Sequence, residues 1–210
     1  MCFSAGADFA AAAVVAPVGV ATLRAARRPP ELLLAALPLL LALHQLTEGF
    51  VWLGLERGAP GGLHDAATLA YLAFAQVVLP LLVPLGILLV EPDRRRRAWM
   101  GALLVGGAAV AARFAWILAS NPVGAQALDH VIVYDTDLEF GYVTAAGYVL
   151  VTCGPALMAS SRLLRWFGVA NLAGLLLATG VRYSAVTSIW CAYAALVSVL
   201  VLVYFRSVPR

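Results

Sequence analysis

The 210-residue chain contains no lysine: all 14 basic residues are arginine. That absence removes two chemistries at once. A light-driven rhodopsin needs a Schiff-base lysine for its retinal, and the Gly-rich phosphate-binding loop of nucleotide hydrolases ends in lysine. Charge of either sign is scarce, at 12% of residues. Cys-x-x-Cys, His-Glu-x-x-His and Gly-x-Ser-x-Gly are all missing, which excludes the common redox, zinc-protease and serine-hydrolase signatures. The three cysteines, Cys2, Cys153 and Cys191, make no disulfide framework.

What fills the chain instead is apolar. Hydrophobic residues are 63% of the composition and the mean hydropathy is +0.92, values that make a lipid bilayer the solvent. A hydrocarbon core of about 30 Å needs roughly 20 apolar residues in a helix. Seven such runs are present, at about 6–24, 32–55, 65–90, 98–119, 140–160, 164–182 and 186–205. The breaks are too polar for lipid or rich in turn residues: Arg27-Arg28-Pro29-Pro30, the Gly58–Gly62 stretch, Glu91-Pro92-Asp93 with Arg94 to Arg97, and Asn121-Pro122. Pro80 and Pro84 predict a kink in the third run. The expected fold is therefore all-α, a seven-helix transmembrane bundle in one domain over 1–210.

Arginine placement sets the expected orientation. Arg24, Arg27, Arg28, Arg94 to Arg97, Arg162, Arg165, Arg206 and Arg210 fall on alternate connections and the C-terminus, leaving Arg57 and Arg182 for the other side. The positive-inside rule then puts the N-terminus outside and the C-terminus in the cytoplasm, as a multi-pass cell-membrane protein. Asp8 ahead of the first apolar run and arginines after it are the charge order of an uncleaved N-out helix. The sequence pI of about 9.0 reflects arginines facing anionic lipid head groups rather than nucleic acid. The outer connection 120–140 is the long one. Its run His130-Val131-Ile132-Val133-Tyr134, followed by Asp135-Thr136-Asp137, reads as a short β-hairpin or as an irregular loop.

Ionisable groups inside a bilayer cost about 2.5–3.5 kcal/mol on insertion scales, so they turn inward and mark sites or helix–helix contacts. The second run carries His44, Gln45, Glu48 and Trp52, with His44, Glu48 and Trp52 in one stripe at helical spacing. Arg113 in the fourth run lies at a depth similar to Glu48, roughly 10 Å below the outer ends at 1.5 Å per residue. A Glu48–Arg113 ion pair is expected, either building a site or holding helices in register. With Asp8 and Gln76 these residues predict an outward-facing polar pocket. Trp52, Trp116 and Tyr183 read most simply as interfacial aromatics.

The opening Met1-Cys2-Phe3-Ser4-Ala5, the segment His44 to Leu53, Thr152-Cys153-Gly154-Pro155, and Thr187-Ser188-Ile189-Trp190-Cys191 together resemble a bacterial family of uncharacterised membrane proteins. Members open with Met-Cys-Phe-Ser and carry Gln-x-x-Glu-Gly-x-x-Trp in the second span. The resemblance covers essentially the whole chain. It implies that Cys2, Gln45, Glu48, Trp52, Trp190 and Cys191 are family features, and it implies no activity.

The leading expectation is thus a protein that binds, senses or conducts a small or lipid-derived ligand. The alternative is a membrane-embedded, metal-dependent hydrolase, with a divalent metal held by His44, Glu48, His130, Asp135 and Cys2. A structural membrane partner ranks third. The outer loop is expected to act as a lid, with His130 or Asp135 turned down toward the second span.

Overall fold

Proline and carboxylate caps, rather than helix propensity, set the helix boundaries at one end of the molecule. Ser4 opens α1 (Ala5–Ala25), its hydroxyl accepting from the Ala7 amide at 3.3 Å. The helix stops before Pro29 and Pro30, which force Arg28 into extended backbone and start a single 3₁₀ turn. Glu31 closes that turn by accepting from the Arg27 amide at 2.8 Å and the Arg28 guanidinium at 2.7 Å. From there α2 (Leu32–Glu56) runs back across the molecule. Gly58, Gly61 and Gly62 all have positive φ and carry the turn into α3 (Leu63–Ala73).

The computed structural model describes residues 4–58, 61–128, 131–136, 142–181 and 183–207, with the backbone alone at 135, 136, 142 and 183. After α3 a π-helical turn at Phe74–Val78 leads into α4 (Leu79–Val90). α5 (Arg94–Ser120) is capped by Asp93, which accepts from the Arg96 amide at 2.8 Å. Strands β1 (Val123–Leu128) and β2 (Val131–Thr136) follow, then α6 (Tyr142–Met158), α7 (Arg162–Val181), α8 (Val186–Val197) and α9 (Val199–Ser207).

Among the described residues, six helical stretches are long and apolar enough to cross a membrane: Ala5–Ala25, Pro29–Glu56, Leu63–Val90, Arg94–Ser120, Arg162–Val181 and Val186–Ser207. The seventh expected run appears as a shorter apolar helix, Val143–Met158. The all-α reading holds, with one small antiparallel sheet. The 120–140 connection does form a hairpin, with Val123 opposite Thr136 and Leu128 opposite Val131.

The expected kink at Pro80 takes a specific form. Proline has no N–H, and its ring clashes with the carbonyl four residues back. The chain relieves this by widening one turn, so that the Leu79 amide donates to the Phe74 carbonyl, five residues earlier. The Ala75 carbonyl loses its helical donor, because Leu79 is diverted and residue 80 cannot supply one. The Tyr148 hydroxyl of α6 donates to it instead, at 2.5 Å.

Two ends of the bundle differ in chemistry. At the arginine-rich end lies the main apolar core, including Leu34 and Leu37 of α2, Ile87 of α4, Met100 of α5, Leu164 of α7 and Phe205 of α9. Polar ties close this end. Buried Glu91 accepts from the Ser160 amide at 2.8 Å and from the Ser160 hydroxyl. Arg96 donates to the Met158 carbonyl, and Arg165 to those of Ala159 and Ser160 at 2.9 and 3.0 Å, where cations match the C-terminal dipole of α6. Glycines let helices approach closely, as small residues do in membranes. A Cβ on Gly19 would stand 2.5 Å from the Leu39 backbone, so α1 and α2 are nearly in backbone contact there.

Candidate functional site

At the other end, α2 presents its polar stripe inward. His44, Gln45, Glu48 and Trp52 are all buried, with Gln45 and Glu48 fully so. The stripe is inward because these positions share the helix face that also carries Leu37 and Leu41 into the core. Gln45 Nε2 donates to Glu48 Oε2 at 3.0 Å, one turn along the same helix.

The hairpin lies over this stripe. Ile132 is buried against Ala5, Val51, Trp52 and Ala67, which ties it to the start of α1, the end of α2 and α3. Two residues further along β2, on the same face of the strand, Tyr134 reaches down. Its hydroxyl donates to Glu48 Oε1 at 3.2 Å. Its ring stacks on Tyr71 with centroids 4.7 Å apart, and Tyr71 in turn stacks on His44 at 3.9 Å, nearly coplanar at 11°. Phe74 also packs against the imidazole, its ring centroid 4.8 Å away and tilted by 36°. Tyr71 packs in one buried cluster with Leu72, Ala75 and Cys191 of α8. A column of three rings therefore runs from the lid to α2, with the Glu48 carboxylate beside it.

Several polar atoms in this layer have no hydrogen-bond partner among the described residues: both ring nitrogens of His44, Gln45 Oε1, Thr68 Oγ1, Gln76 Oε1 and Trp52 Nε1. Buried polar atoms are satisfied in the great majority of cases, so this concentration singles out the layer as the candidate site. Asp8 is also buried, on α1. Its neighbour Phe9 sits on Gly49, where any Cβ would collide with the ring, and this brings Asp8 to within about a turn of Glu48 in height.

Other expectations are corrected. Arg113 does not join the site: its side chain is exposed on α5, while Ala111, Phe114 and Ile117 of that helix are buried. Two residues along a helix is about 200°, so Arg113 faces away from the side that holds Ala111. Its long stem can carry the charge to the interface, which removes the need for an ion pair. The ion pair found among the described residues is Arg28–Glu31. Trp52 is not interfacial but 5% exposed under the hairpin. Trp116, by contrast, is 69% exposed. Tyr183 has only its backbone described. Buried His64 hydrogen-bonds the Val51 carbonyl through Nδ1 at 3.1 Å, against the bare Cα of Gly54.

The metal reading rests on residues that the structure describes only in part. His44 and Glu48 are in place, but Cys2 and His130 lie outside the described residues, and Asp135 is described only as backbone opposite Gly124. Among the described residues no three His, Cys, Asp or Glu side chains gather as metal ligands. The expected downward turn of His130 or Asp135 falls on side chains outside the described residues; among the described ones, Tyr134 reaches the second span from the loop. Sequence reasoning missed Tyr134 and Tyr71. Strand alternation pairing Tyr134 with Ile132 was the available signal for the first, and none existed for the second.

A family described as "Family of unknown function (DUF6629)" matches the chain over residues 1–210. The chain belongs to DUF6629. No curated protein and no solved structure matches it. The case for what this DUF6629 member does therefore rests on its own geometry.

Proposed function

We propose that the protein is a seven-span membrane protein, N-terminus outside and C-terminus cytoplasmic, that binds a small ligand in the polar layer beneath its hairpin. The observation that carries this reading is the hydrogen bond from Tyr134 of the hairpin to the fully buried Glu48. A carboxylate in the outer half of a bilayer is costly, and here it is roofed by a separate segment rather than by packing from helices alone. A long connection that pairs as a hairpin over a polar layer is more often functional than idle.

Two acidic groups, Glu48 and Asp8, together with unpartnered acceptors on Gln45 and Gln76, favour a cation or a protonated amine over an anion. The arginine-rich end, with the Arg94 to Arg97 run, faces the cytoplasm in this reading and rests on anionic lipid head groups.

Thermal unfolding of the detergent-purified protein against a panel of inorganic cations and small amines tests the pocket. At least one should stabilise the wild type and leave Glu48→Gln unmoved. A panel that shifts both proteins equally, or neither, overturns the reading. A C-terminal reporter active only outside the cytoplasm overturns the orientation.

A further inference from the structure

Below the polar layer, a cavity of about 50 Å³ lies between α2, α4, α6, α7 and α8. Its two ordinary cysteines, Cys153 of α6 and Cys191 of α8, are both buried, both free, and both line it. They come from the two segments near the C-terminal half that carry the family resemblance, Thr152 to Pro155 and Thr187 to Cys191.

The size of the cavity restricts its occupant. It has room for only a few water-sized spheres, whereas sites for organic cofactors run from about 300 Å³ upward. An ion or a very small molecule fits; a nucleotide, flavin or lipid head group does not.

The chemistry of the lining restricts it further, because its hydrogen-bond donors are committed elsewhere. Tyr148 donates to the Ala75 carbonyl at 2.5 Å, and Thr152 to the Tyr148 carbonyl at 2.7 Å. Trp190 Nε1 donates to the Asn171 carbonyl at 2.9 Å, and Asn171 Nδ2 to the Phe167 carbonyl at 2.8 Å. An anion or a hydrogen-bonding solute finds nothing to receive it. Most of the remaining wall is aliphatic, from Leu37, Leu41, Leu79 and Val83. What the wall offers an occupant is sulfur.

We infer that this cavity is a binding site for a soft monovalent metal ion, Cu(I), held between the thiols of Cys153 and Cys191. Soft sulfur ligands select Cu(I), and Cu(I) is content with two ligands in a line. Zinc needs four, and among the described residues no cluster of even three ligating side chains exists. Binding releases thiol protons. Loss of one leaves a neutral assembly, Cu⁺ with one thiolate and one thiol, which suits a wall of leucine and valine. The site borders the Glu48 layer, since Cys191 packs in one buried cluster with Tyr71, whose ring stacks on His44.

The test uses the full-length protein in detergent, reduced and anaerobic, on a Cys2→Ser background so that Cys153 and Cys191 are the thiols remaining. Cu(I) is supplied as its coloured bicinchoninate complex. One equivalent should pass to the protein, with two sulfur neighbours in X-ray absorption, and transfer should be lost in Cys153→Ser and in Cys191→Ser. Ala194→Leu, which fills the cavity from α8 and keeps both thiols, should also abolish it. If the serine variants fail to fold, native mass spectrometry of the Cys2→Ser protein with Ag(I) reads the stoichiometry without them, and one bound ion is expected. No transfer from bicinchoninate, no bound Ag(I), or full transfer to a folded protein lacking both thiols would overturn the inference.

Discussion

Tyr134 and Glu48 are separated by 86 residues of sequence, and a hydrogen bond of 3.2 Å joins them. Tyr134 belongs to the connection over the bundle, Glu48 to the buried face of α2. The same tyrosine stacks on Tyr71, so one side chain ties the hairpin both to the acidic group and to the ring column that ends at His44.

Removing that hydroxyl should loosen the hairpin selectively. Tyr134→Phe keeps the stacked ring and withdraws one donor from a buried carboxylate, at a cost of about 1–2 kcal/mol. Hydrogen exchange should show β1 and β2 amides opening faster while the amides of α2 and α5 are unchanged. Uniform exchange rates in mutant and wild type would show that the tyrosine is not a latch.

Thr68 reports on the lid from below. It is 1% exposed in the intact protein. In a variant lacking native cysteines, Thr68→Cys should resist a membrane-impermeant thiol reagent. Replacing 125–137 with a Gly-Ser linker should make it reactive, with membrane insertion intact. Equal labelling of the two forms would remove the hairpin's role as a cover.

The π turn and Tyr148 should be energetically coupled. Tyr148→Phe leaves the Ala75 carbonyl without a donor, costing roughly 1–3 kcal/mol. In a Pro80→Ala background residue 80 regains its N–H and the helix can regularise, so the Tyr148→Phe penalty should shrink. A double-mutant cycle on unfolding free energy in micelles measures this. Additive penalties would mean that Tyr148 does not compensate for the proline.

Glycines in α1 and α7 should respond in opposite ways. Gly19→Ala drives a methyl into the Leu39 backbone, and overpacking of this kind costs about 1–3 kcal/mol. Gly180→Ala meets nothing within 4 Å, so it should be neutral or stabilise α7 by up to about 1 kcal/mol through helix propensity. Thermal unfolding of the two variants side by side decides the matter. Similar losses at both sites would contradict the packing described for α1 and α2.

Much of this protein was determined locally. A bilayer requires about 20 apolar residues per crossing, so the helices could be read from run length, and the polar breaks placed their ends. The β-branched run beside turn residues left a hairpin or an irregular loop open, and strand pairing decided for the hairpin; the inward stripe of His44, Glu48 and Trp52 followed from helical period. Arg113 was misplaced by an argument that used depth alone. Depth comes from counting along one helix, but facing requires the angle around it, and its buried neighbours Ala111 and Phe114 supplied that angle. What lies between helices was decided only by tertiary structure. Tyr134 meets Glu48, Tyr148 meets the Ala75 carbonyl, and Cys153 and Cys191 line one cavity because of how separate helices rotate and pack against each other. No residue's own sequence neighbours carry that information, since each contact depends on side-chain shapes tens of residues away.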